Sequence, residues 1–287
     1  MKARECSFEV NGLRLHALHW GGGENRRLRL LALHGWLDNA ASFLGLAEAL
    51  PDCEILAPDL AGHGRSDWRP VGGSYALVDH LPDLMQLLDT MGWADCILLG
   101  HSMGAAIASL MAVAAPERCS ALLSIDALGP LSLTESEAAA RLRRAFRARG
   151  EPTPKRRLFA SVEDATAQRA QLNGLRPDQA RALVERALKA VDGGWIWAAD
   201  PRLQLPSALP LSETQVQALL AAIACPVLVL AAETPDPRLP RLEVKTRLGC
   251  VPQAVCLRLA GGHHLHIAEP AKAAAAIQQF IREHCPT

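Results

Sequence analysis

The sequence predicts an α/β fold in which a doubly wound, mostly parallel sheet carries a helical insertion. Short apolar runs alternate with segments of amphipathic helical spacing, which is the rhythm of strand–helix–strand units. The apolar run 95–99 leads through Gly100-His101-Ser102-Met103-Gly104 into an Ala-rich segment, an order typical of strand, sharp turn and helix. Between residues 127 and 224 the strand pattern largely disappears. The 287 residues suffice for one large α/β domain with an insertion.

Each element has its own signal in the sequence. Asn11-Gly12 is the strongest short hairpin signal, and it separates strands predicted at 7–10 and 13–20. Short apolar runs predict buried strands, and apolar residues three and four apart predict amphipathic helices. The remaining strands are predicted at 28–33, 53–57, 95–99, 121–125, 226–230 and 254–259. The helices flanking them are predicted at 39–50, 81–91, 105–115 and 270–284.

The middle of the chain differs in character from both ends. Residues 135–149, 162–173 and 177–191 are rich in Arg, Ala and Glu and predict helices. We therefore expect a core built from residues 1–126 and 225–287, with a helical cap insertion at 127–224 over one face of the sheet. The charge runs of the insertion predict solvated helix faces.

Composition narrows the functional class. Lys+Arg and Asp+Glu both number 30, so the balance of charge implies no strongly basic face, and nucleic acid is not the expected partner. Eight cysteines are spread without a Cys-x-x-Cys pair, and no signal-peptide core or membrane-spanning stretch is evident, so we expect a cytoplasmic protein. No cluster has metal-ligand spacing, and no Gly-x-Gly-x-x-Gly follows a strand. The expected partner is a small molecule, with no cofactor and no metal.

Ser102 is the candidate nucleophile. A serine between a strand end and a helix start is forced into a strained backbone conformation, and Gly100 and Gly104 lack the Cβ that would keep strand and helix apart. In open parallel sheets active sites lie outside the carboxyl ends of the strands. The His34-Gly35-Trp36 turn and the loop after Asp59 fall at such ends, as Ser102 does.

These motifs together resemble the α/β-hydrolase superfamily. They comprise the Ser102 turn, the His34-Gly35 turn, the Asp-Leu-x-Gly-His-Gly-x-Ser loop at 59–66, and a late Gly-His before a terminal helix. The chain is further similar to the serine-hydrolase-like group in segments 33–39, 128–130, 193–201 and 261–266. The resemblance covers nearly the whole chain outside the insertion. It implies the α/β-hydrolase fold and catalysis by a serine, a histidine and an acid.

The catalytic base must come from a compact group of histidines. A hydroxyl is a weak nucleophile until a neighbouring base takes its proton, and histidine titrates in the useful range. His263, His264 and His266 compete for this role. In hydrolases of this type similar stretches read Gly-His-x-x-His-x-x-x-Pro, and the first histidine is catalytic. The resemblance therefore implies His263 as the base, with His264 and His266 as loop histidines.

The acid that orients the histidine has two candidates. Asp236 lies in the turn after the strand 226–230, one residue later than the usual position in such hydrolases. Asp126 ends the strand 121–125, 24 residues beyond Ser102, where some cap-bearing relatives carry an acid. Either carboxylate could instead be structural, Asp126 at the start of the insertion and Asp236 in a solvated turn. The sequence favours Asp126 and leaves both open.

Several further residues are assigned by the resemblance or by position. The backbone N–H groups of Trp36 and Met103 are implied as the oxyanion hole. The candidate substrate-binding side chains are His34, His101, Trp195 and Trp197. Of these, His34 is expected to brace its own turn by hydrogen bonds. Trp195 and Trp197 either line an apolar pocket or anchor the insertion to the core.

The expected activity is that of a serine esterase. Ser102 would form an acyl-enzyme with a carboxylic ester, or with a thioester or lactone, and water would release the acid. A C–C bond hydrolase or a perhydrolase would use the same three residues. A ligand-binding protein that keeps the hydrolase fold without turnover is the alternative from another class, because the identity of the acid is uncertain.

Overall fold

The computed structural model describes residues 2–21, 28–151, 155–234, 236 and 244–285. Eight strands of these residues form one sheet and two form a separate hairpin. The strands of the sheet are β1 (Arg4–Val10), β2 (Leu13–Trp20), β3 (Leu28–Leu33), β4 (Cys53–Pro58), β5 (Cys96–His101), β6 (Cys119–Ile125), β9 (Val227–Ala232) and β10 (Ala254–Leu259). The hairpin consists of β7 (Leu188–Val191) and β8 (Gly194–Trp197).

Ten α-helices accompany these strands in the described part of the chain. They are α1 (Leu44–Glu48), α2 (Leu81–Thr90), α3 (Met103–Ala114), α4 (Ala138–Gly150), α5 (Val162–Asn173), α6 (Pro177–Ala187), α7 (Glu213–Ala221), α8 (Val244–Gly249), α9 (Leu265–Ala268) and α10 (Pro270–His284). Turns of 3₁₀ helix precede α1 and α2 at Ala40–Phe43 and Leu77–His80. All strands and core helices expected from the sequence are present, with ends shifted by a few residues.

The sheet has the order β1-β2-β4-β3-β5-β6-β9-β10. β1 and β2 pair antiparallel through the Asn11-Gly12 turn, β2 pairs antiparallel with β4, and every other pair is parallel. This confirms the doubly wound, mostly parallel sheet. Because parallel strands share one direction, the carboxyl ends of β3, β5, β6 and β9 meet along one edge.

The core has two layers, one on each face of the sheet. Alternate residues of each strand point to opposite faces, so Leu31 and Leu33 of β3 pack on one side and Leu30 and Ala32 on the other. One layer is completed by apolar residues of α2, α3 and α7, and the other by those of α1 and α10. Both faces are therefore covered, as a parallel sheet requires.

The segment 127–224, which the sequence predicts to be a helical insertion, is not purely helical. It contains α4 to α7, but the helix predicted at 177–191 ends at Ala187, and residues 188–191 form β7. β7 pairs antiparallel with β8 across the two residues Asp192-Gly193, a sequence that is itself a hairpin signal. The prediction of a helix through Val191 was wrong because the apolar spacing continued while this turn was overlooked.

Polar contacts attach the inserted segment to the core. Arg186 of α6 donates from Nε to both carboxylate oxygens of Asp59, at 2.9 and 3.0 Å, and both side chains are buried. The Asn39 amide donates to the backbone oxygen of Leu183 at 2.8 Å. These contacts hold α6 against the loops that follow β3 and β4.

A second ion pair fixes the end of the segment. The guanidinium of Arg247, on α8, is buried and donates to Glu213 at 2.9 and 2.6 Å and to the backbone oxygen of Leu128 at 2.7 Å. The hydrogen bond from Arg247 lowers the pKa of Glu213 to about 2. Arg247 thus joins Leu128, at the start of the segment, to α7, its last helix.

Replacing Glu213 with Gln is expected to lower the free energy of unfolding by roughly 2 kcal/mol near neutral pH. The variant leaves the Arg247 charge buried without a counter-ion, and the cost stays below that of a fully enclosed pair because Glu213 is partly exposed. Since the pKa of Glu213 is lower in the folded state, its contribution is complete above about pH 4.5 and is lost as the pH falls towards 2.

Urea denaturation at a series of pH values measures this difference. Glu185→Gln is the matched control, because Glu185 forms an exposed pair with Arg181 on α6 and its loss should change stability little. A wild-type advantage over Glu213→Gln that persists unchanged at pH 2 would contradict the assignment to this carboxylate.

Candidate active site

Ser102 occupies a strained turn between β5 and α3. Its backbone has φ 52° and ψ −114°, a conformation that a residue with a side chain rarely adopts. The Ser102 N–H donates to the backbone oxygen of Ile125 at 3.0 Å, and the Ser102 carbonyl accepts from Ala105 and Ala106. The strain is therefore held by the neighbouring strand on one side and by the first turn of α3 on the other.

Two glycines make this turn sterically possible. A Cβ on Gly104 would lie 1.9 Å from the backbone oxygen of Leu33, at the end of β3. A Cβ on Gly100 would lie 2.4 Å from the backbone of Ala105. Both separations are far below van der Waals contact, so neither position accepts any residue except glycine. The start of α3 consequently touches the end of β3, which carries the turn through Trp36.

His263 is hydrogen bonded to Asp126. The distance from Nδ1 of His263 to Oδ2 of Asp126 is 2.7 Å. Asp126 ends β6, next to β5, and its own N–H donates to Leu230 of β9 at 2.8 Å. The ring of His263 lies 4.7 Å from that of His101, the residue before Ser102. Asp126, His263 and the Ser102 turn therefore come together at the same edge of the sheet.

The environment of Asp126 favours its ionised form. Burial alone would raise its pKa, but hydrogen bonds from His263 and from the Ala232 N–H, the latter at 2.9 Å, outweigh burial and lower the pKa below its usual value. Asp126 also has a positive φ of 48°. Because each oxygen accepts a separate hydrogen bond, the carboxylate can hold the imidazole in one orientation.

Asp236 lies beyond the end of β9 and is partly buried. Residues 235 and 237–243 around it are outside the described residues. Strands β6 and β9 are neighbours, so the turns carrying Asp126 and Asp236 follow adjacent strands. The partner of His263 Nδ1 is the carboxylate on the first of these turns, that of Asp126.

The turn carrying Trp36 is strained as well. Leu37 has φ 58°, so three of the four described non-glycine residues with positive φ, namely Leu37, Ser102 and Asp126, lie at this edge of the sheet. The Trp36 side chain is half exposed, and its Nε1–H donates to the backbone oxygen of Leu203 in the inserted segment at 3.0 Å. Met103 is the first residue of α3, beside the Gly104 contact with β3.

His34 and His101 lie beneath the site. His34 is fully buried and donates from Nδ1 to Gly35 O at 2.8 Å, while its Nε2 accepts from the Leu60 N–H at 2.9 Å. This is the brace expected for His34.

His101 is also buried, and its Nε2–H donates to the backbone oxygen of His263 at 2.9 Å. Burial lowers the pKa of each to about 4, so both are neutral near pH 7. Neither side chain offers the surface that a substrate-binding role requires, because both are enclosed by protein.

Asp38 connects the loops of the site, and sequence reasoning gave it no role. The buried carboxylate accepts a hydrogen bond from Arg169 of α5, and its Oδ2 lies 3.3 Å from Nε2 of His264 and 3.5 Å from Nδ1 of His101. The side-chain nitrogen of Asn173, also on α5, lies 3.2 Å from Nε2 of His264. One carboxylate thus contacts the Ser102 turn, the His263 loop and the inserted segment.

The same cluster is the candidate for metal binding in the described part of the chain. Potential ligand atoms of Asp38, His101 and His264 all lie within 4.8 Å of one another. A divalent cation there would face the guanidinium of Arg169, which already contacts the Asp38 carboxylate. Arg169 supplies the positive charge that Asp38 requires, so the arrangement fits an internal ion pair better than a metal centre.

Trp195 and Trp197 pack inside the inserted segment. They lie on β8 and join a small apolar cluster around Phe159, whose ring is 5.3 Å from that of Trp197. Phe159 and Trp195 also exchange backbone hydrogen bonds of 2.9 Å. The two tryptophans therefore stabilise the segment itself, and the segment contacts the core mainly through other residues, such as Asp200, which accepts from Tyr75 at 2.6 Å.

The chain is similar to known proteins in sequence and in fold. The sequence model of a family described as having the alpha/beta hydrolase fold matches residues 29–270. A "Serine hydrolase-like protein" of Danio rerio is 26% identical, over 99% of this chain and 90% of that protein.

Solved structures are similar over the full length. A hypothetical protein of Pseudomonas aeruginosa PAO1 is 33% identical with a TM-score of 0.88, over 99% of this chain and 98% of that one. The thioesterase domain from the curacin biosynthetic pathway is 25% identical with a TM-score of 0.85, over 97% of this chain and 100% of that one. The similarity thus includes the sheet and the inserted segment alike.

The pair of Asp38 and Arg169 is expected to show strong energetic coupling. Asp38→Asn should destabilise the fold by about 3 kcal/mol, because it leaves the largely buried Arg169 without its counter-ion. In a double-mutant cycle with Arg169→Gln, the double variant should lose at least about 1 kcal/mol less than the sum of the two single variants. Urea denaturation supplies the four free energies.

The exposed pair of Arg181 and Glu185 provides the control cycle, with an expected coupling below about 0.5 kcal/mol. Strict additivity of the Asp38 and Arg169 substitutions would exclude the ion pair as the contact that holds α5 to the site.

Proposed function

Because this chain belongs to the α/β-hydrolase family, we propose that it is a serine hydrolase that cleaves a carboxylic ester, thioester or lactone through an acyl-enzyme on Ser102. The observation that carries the proposal is the 2.7 Å hydrogen bond between His263 and Asp126 beside the strained Ser102 turn. A nucleophile, a base and an orienting acid from three separate segments are the set of groups that Ser-His-Asp hydrolases use for this chemistry.

Each of the three residues has a defined task. His263 donates its Nδ1–H to Asp126, so that Nε2 carries the lone pair and can accept the hydroxyl proton of Ser102. The serine oxygen attacks the acyl carbon, and the imidazolium returns the proton to the departing alcohol or thiol. Water, deprotonated in turn by His263, attacks the acyl-enzyme and releases the carboxylic acid. Asp126 stays ionised throughout and stabilises the imidazolium.

The oxyanion is assigned to two backbone donors. The N–H of Met103 lies at the start of α3, where the helix dipole is positive, and the N–H of Trp36 lies in the turn after β3. The contact between Gly104 and the end of β3 supports this pairing, because it brings the two loops together without any side chain between them.

The inserted segment is proposed to be the cap of this enzyme. The domain division is then a core of residues 1–126 and 225–287 with a cap at 127–224. In support, the Trp36 side chain contacts Leu203 of the segment, and Arg169 of the segment contacts Asp38 beside the catalytic loops. The acyl or leaving group would be enclosed between these two bodies.

The candidate substrates differ in the leaving group and in the acyl chain. One similar structure is named a thioesterase domain, which makes a thioester a candidate beside oxygen esters. Hydrolysis of a C–C bond and perhydrolysis use the same three residues. A panel of p-nitrophenyl esters of increasing acyl length, together with matched thioesters and lactones, would rank these substrates by kcat/KM.

Ser102→Ala is expected to abolish hydrolysis of p-nitrophenyl esters and labelling by a fluorophosphonate probe, since the attacking oxygen is removed. The fold should be retained, as judged by circular dichroism and by the unfolding midpoint. Ser136→Ala, at an exposed serine of the inserted segment, is the matched control and should keep full activity. Unchanged turnover in Ser102→Ala would reject the nucleophile. A folded wild-type protein that reacts with neither reagent would favour a ligand-binding protein.

Asp126→Asn is expected to lower kcat by about 10⁴, because the amide no longer holds the required tautomer of His263. Asp236→Asn, which removes a carboxylate from the neighbouring turn, is the comparison and should stay close to wild type. Steady-state kinetics on one ester measure both variants. A loss confined to Asp236→Asn would transfer the role to that residue, and two fully active variants would exclude both carboxylates.

A further inference from the structure

Helix α4 presents an unusual surface to solvent. Five arginines lie within its 13 residues, at 141, 143, 144, 147 and 149, and the helix contains no acidic residue. Its two large apolar side chains, Leu142 and Phe146, face outwards, with 47% and 79% of their surface exposed. Only Ala145 is buried. A helix face that contacts only water gains no stability from an exposed phenylalanine among arginines.

The outward residues form two adjacent rows. Leu142 and Phe146 are four residues apart and so lie one above the other, and Arg143 and Arg147 form the next row. These four residues line one shallow groove. On the exposed face, the apolar row therefore lies directly beside a cationic row.

The surface continues beyond the helix. Arg141 donates from Nε to the backbone oxygen of Ser207 at 3.0 Å, which attaches α4 to the segment containing Leu209, a further leucine with 76% of its surface exposed. Glu135, Glu137 and Glu151 lie outside the two ends of the helix. The body of the helix is thus wholly cationic in a chain whose formal net charge is zero.

We propose that this face of α4, centred on Phe146 and Leu142 and flanked by Arg143 and Arg147, is a docking site for the surface of an anionic lipid bilayer. Apolar side chains that enter the boundary between headgroups and acyl chains, flanked by cations that meet lipid phosphates, are the features of interfacial helices. No helix in the described part of the chain is long and apolar enough to cross a bilayer.

Charge and shape favour a lipid surface over the other occupants. An acidic peptide would need apolar side chains spaced to meet Leu142 and Phe146, whereas a bilayer supplies anions and apolar chains over its whole area. A second copy of this chain would bring the same arginines face to face if the contact were symmetric, and like charges repel. The second copy is an outcome that the experiment distinguishes, through self-association.

The test is co-sedimentation with large vesicles, using Ser102→Ala protein so that no lipid can be consumed. Binding is then independent of catalysis, and its failure is separate from any failure of the proposed function. We expect binding to an equimolar mixture of phosphatidylcholine and phosphatidylglycerol, negligible binding to phosphatidylcholine alone, and weakening by added salt.

Two variants separate the electrostatic and apolar parts. The double substitution Arg143→Gln with Arg147→Gln should lower the vesicle partition coefficient about 30-fold, since each arginine near an anionic surface contributes about fivefold. Phe146→Ser should lower it about tenfold. The matched controls are Arg176→Gln with Arg181→Gln, two exposed arginines at the start of α6 and within it, and Val78→Ser, an exposed valine outside the segment 127–224. Neither control should change binding.

Three results would overturn the proposal. The first is no binding of the parent protein to the mixed vesicles. The second is an equal loss of binding in the α4 and α6 arginine pairs, which would indicate net charge alone. The third is self-association, measured by light scattering, that disappears in Phe146→Ser while vesicle binding is absent, which would assign the face to a second copy.

Discussion

The contact between the first turn of α3 and the end of β3 is the constraint on which the site depends. Because a Cβ at position 104 would lie 1.9 Å from Leu33 O, this approach is possible only with glycine. The approach holds the Ser102 backbone at a positive φ and brings the Trp36 turn beside it. Strain of this kind costs on the order of 1–3 kcal/mol per residue, and here the packing of a whole parallel sheet sustains it.

Those parts of the site that are local in sequence could be predicted from it. The Ser102 turn was recognisable because the strand, both glycines and the helix fall within about twenty residues. The candidate acid was favoured but left open between Asp126 and Asp236, because the hydrogen bond between Asp126 and His263 joins residues 137 positions apart. Asp126 and Asp236 follow adjacent strands, β6 and β9, so both approach the same edge and a strand pattern cannot choose between them. Coordinates supply the missing distance.

The role of Asp38 shows a second limit of sequence reasoning. Its neighbours His101, Arg169 and His264 come from three distant segments, and none of them forms a motif with it. The hairpin of β7 and β8 is a different case, since Asp192-Gly193 was a readable signal that the continuing helical spacing outweighed. Asp38 was missed because its contacts are long-range. The hairpin was missed because the helical spacing was given more weight than the turn signal.

The composition of α4 follows from how little it packs. Apart from Phe146 and Gly150, every residue of this helix is Ala, Arg or Leu, which are strong helix formers. Only Ala145 of α4 is buried, so packing contributes little to the stability of this helix. The intrinsic helix propensity of its residues must then supply that stability. Buried ion pairs attach the inserted segment elsewhere, through Arg186 and Arg169, so α4 is free to face outwards. Phe146 is then the residue that folding does not explain: it is a weaker helix former and buries little. Its position among arginines is accounted for by an anionic, apolar partner rather than by the stability of the chain itself.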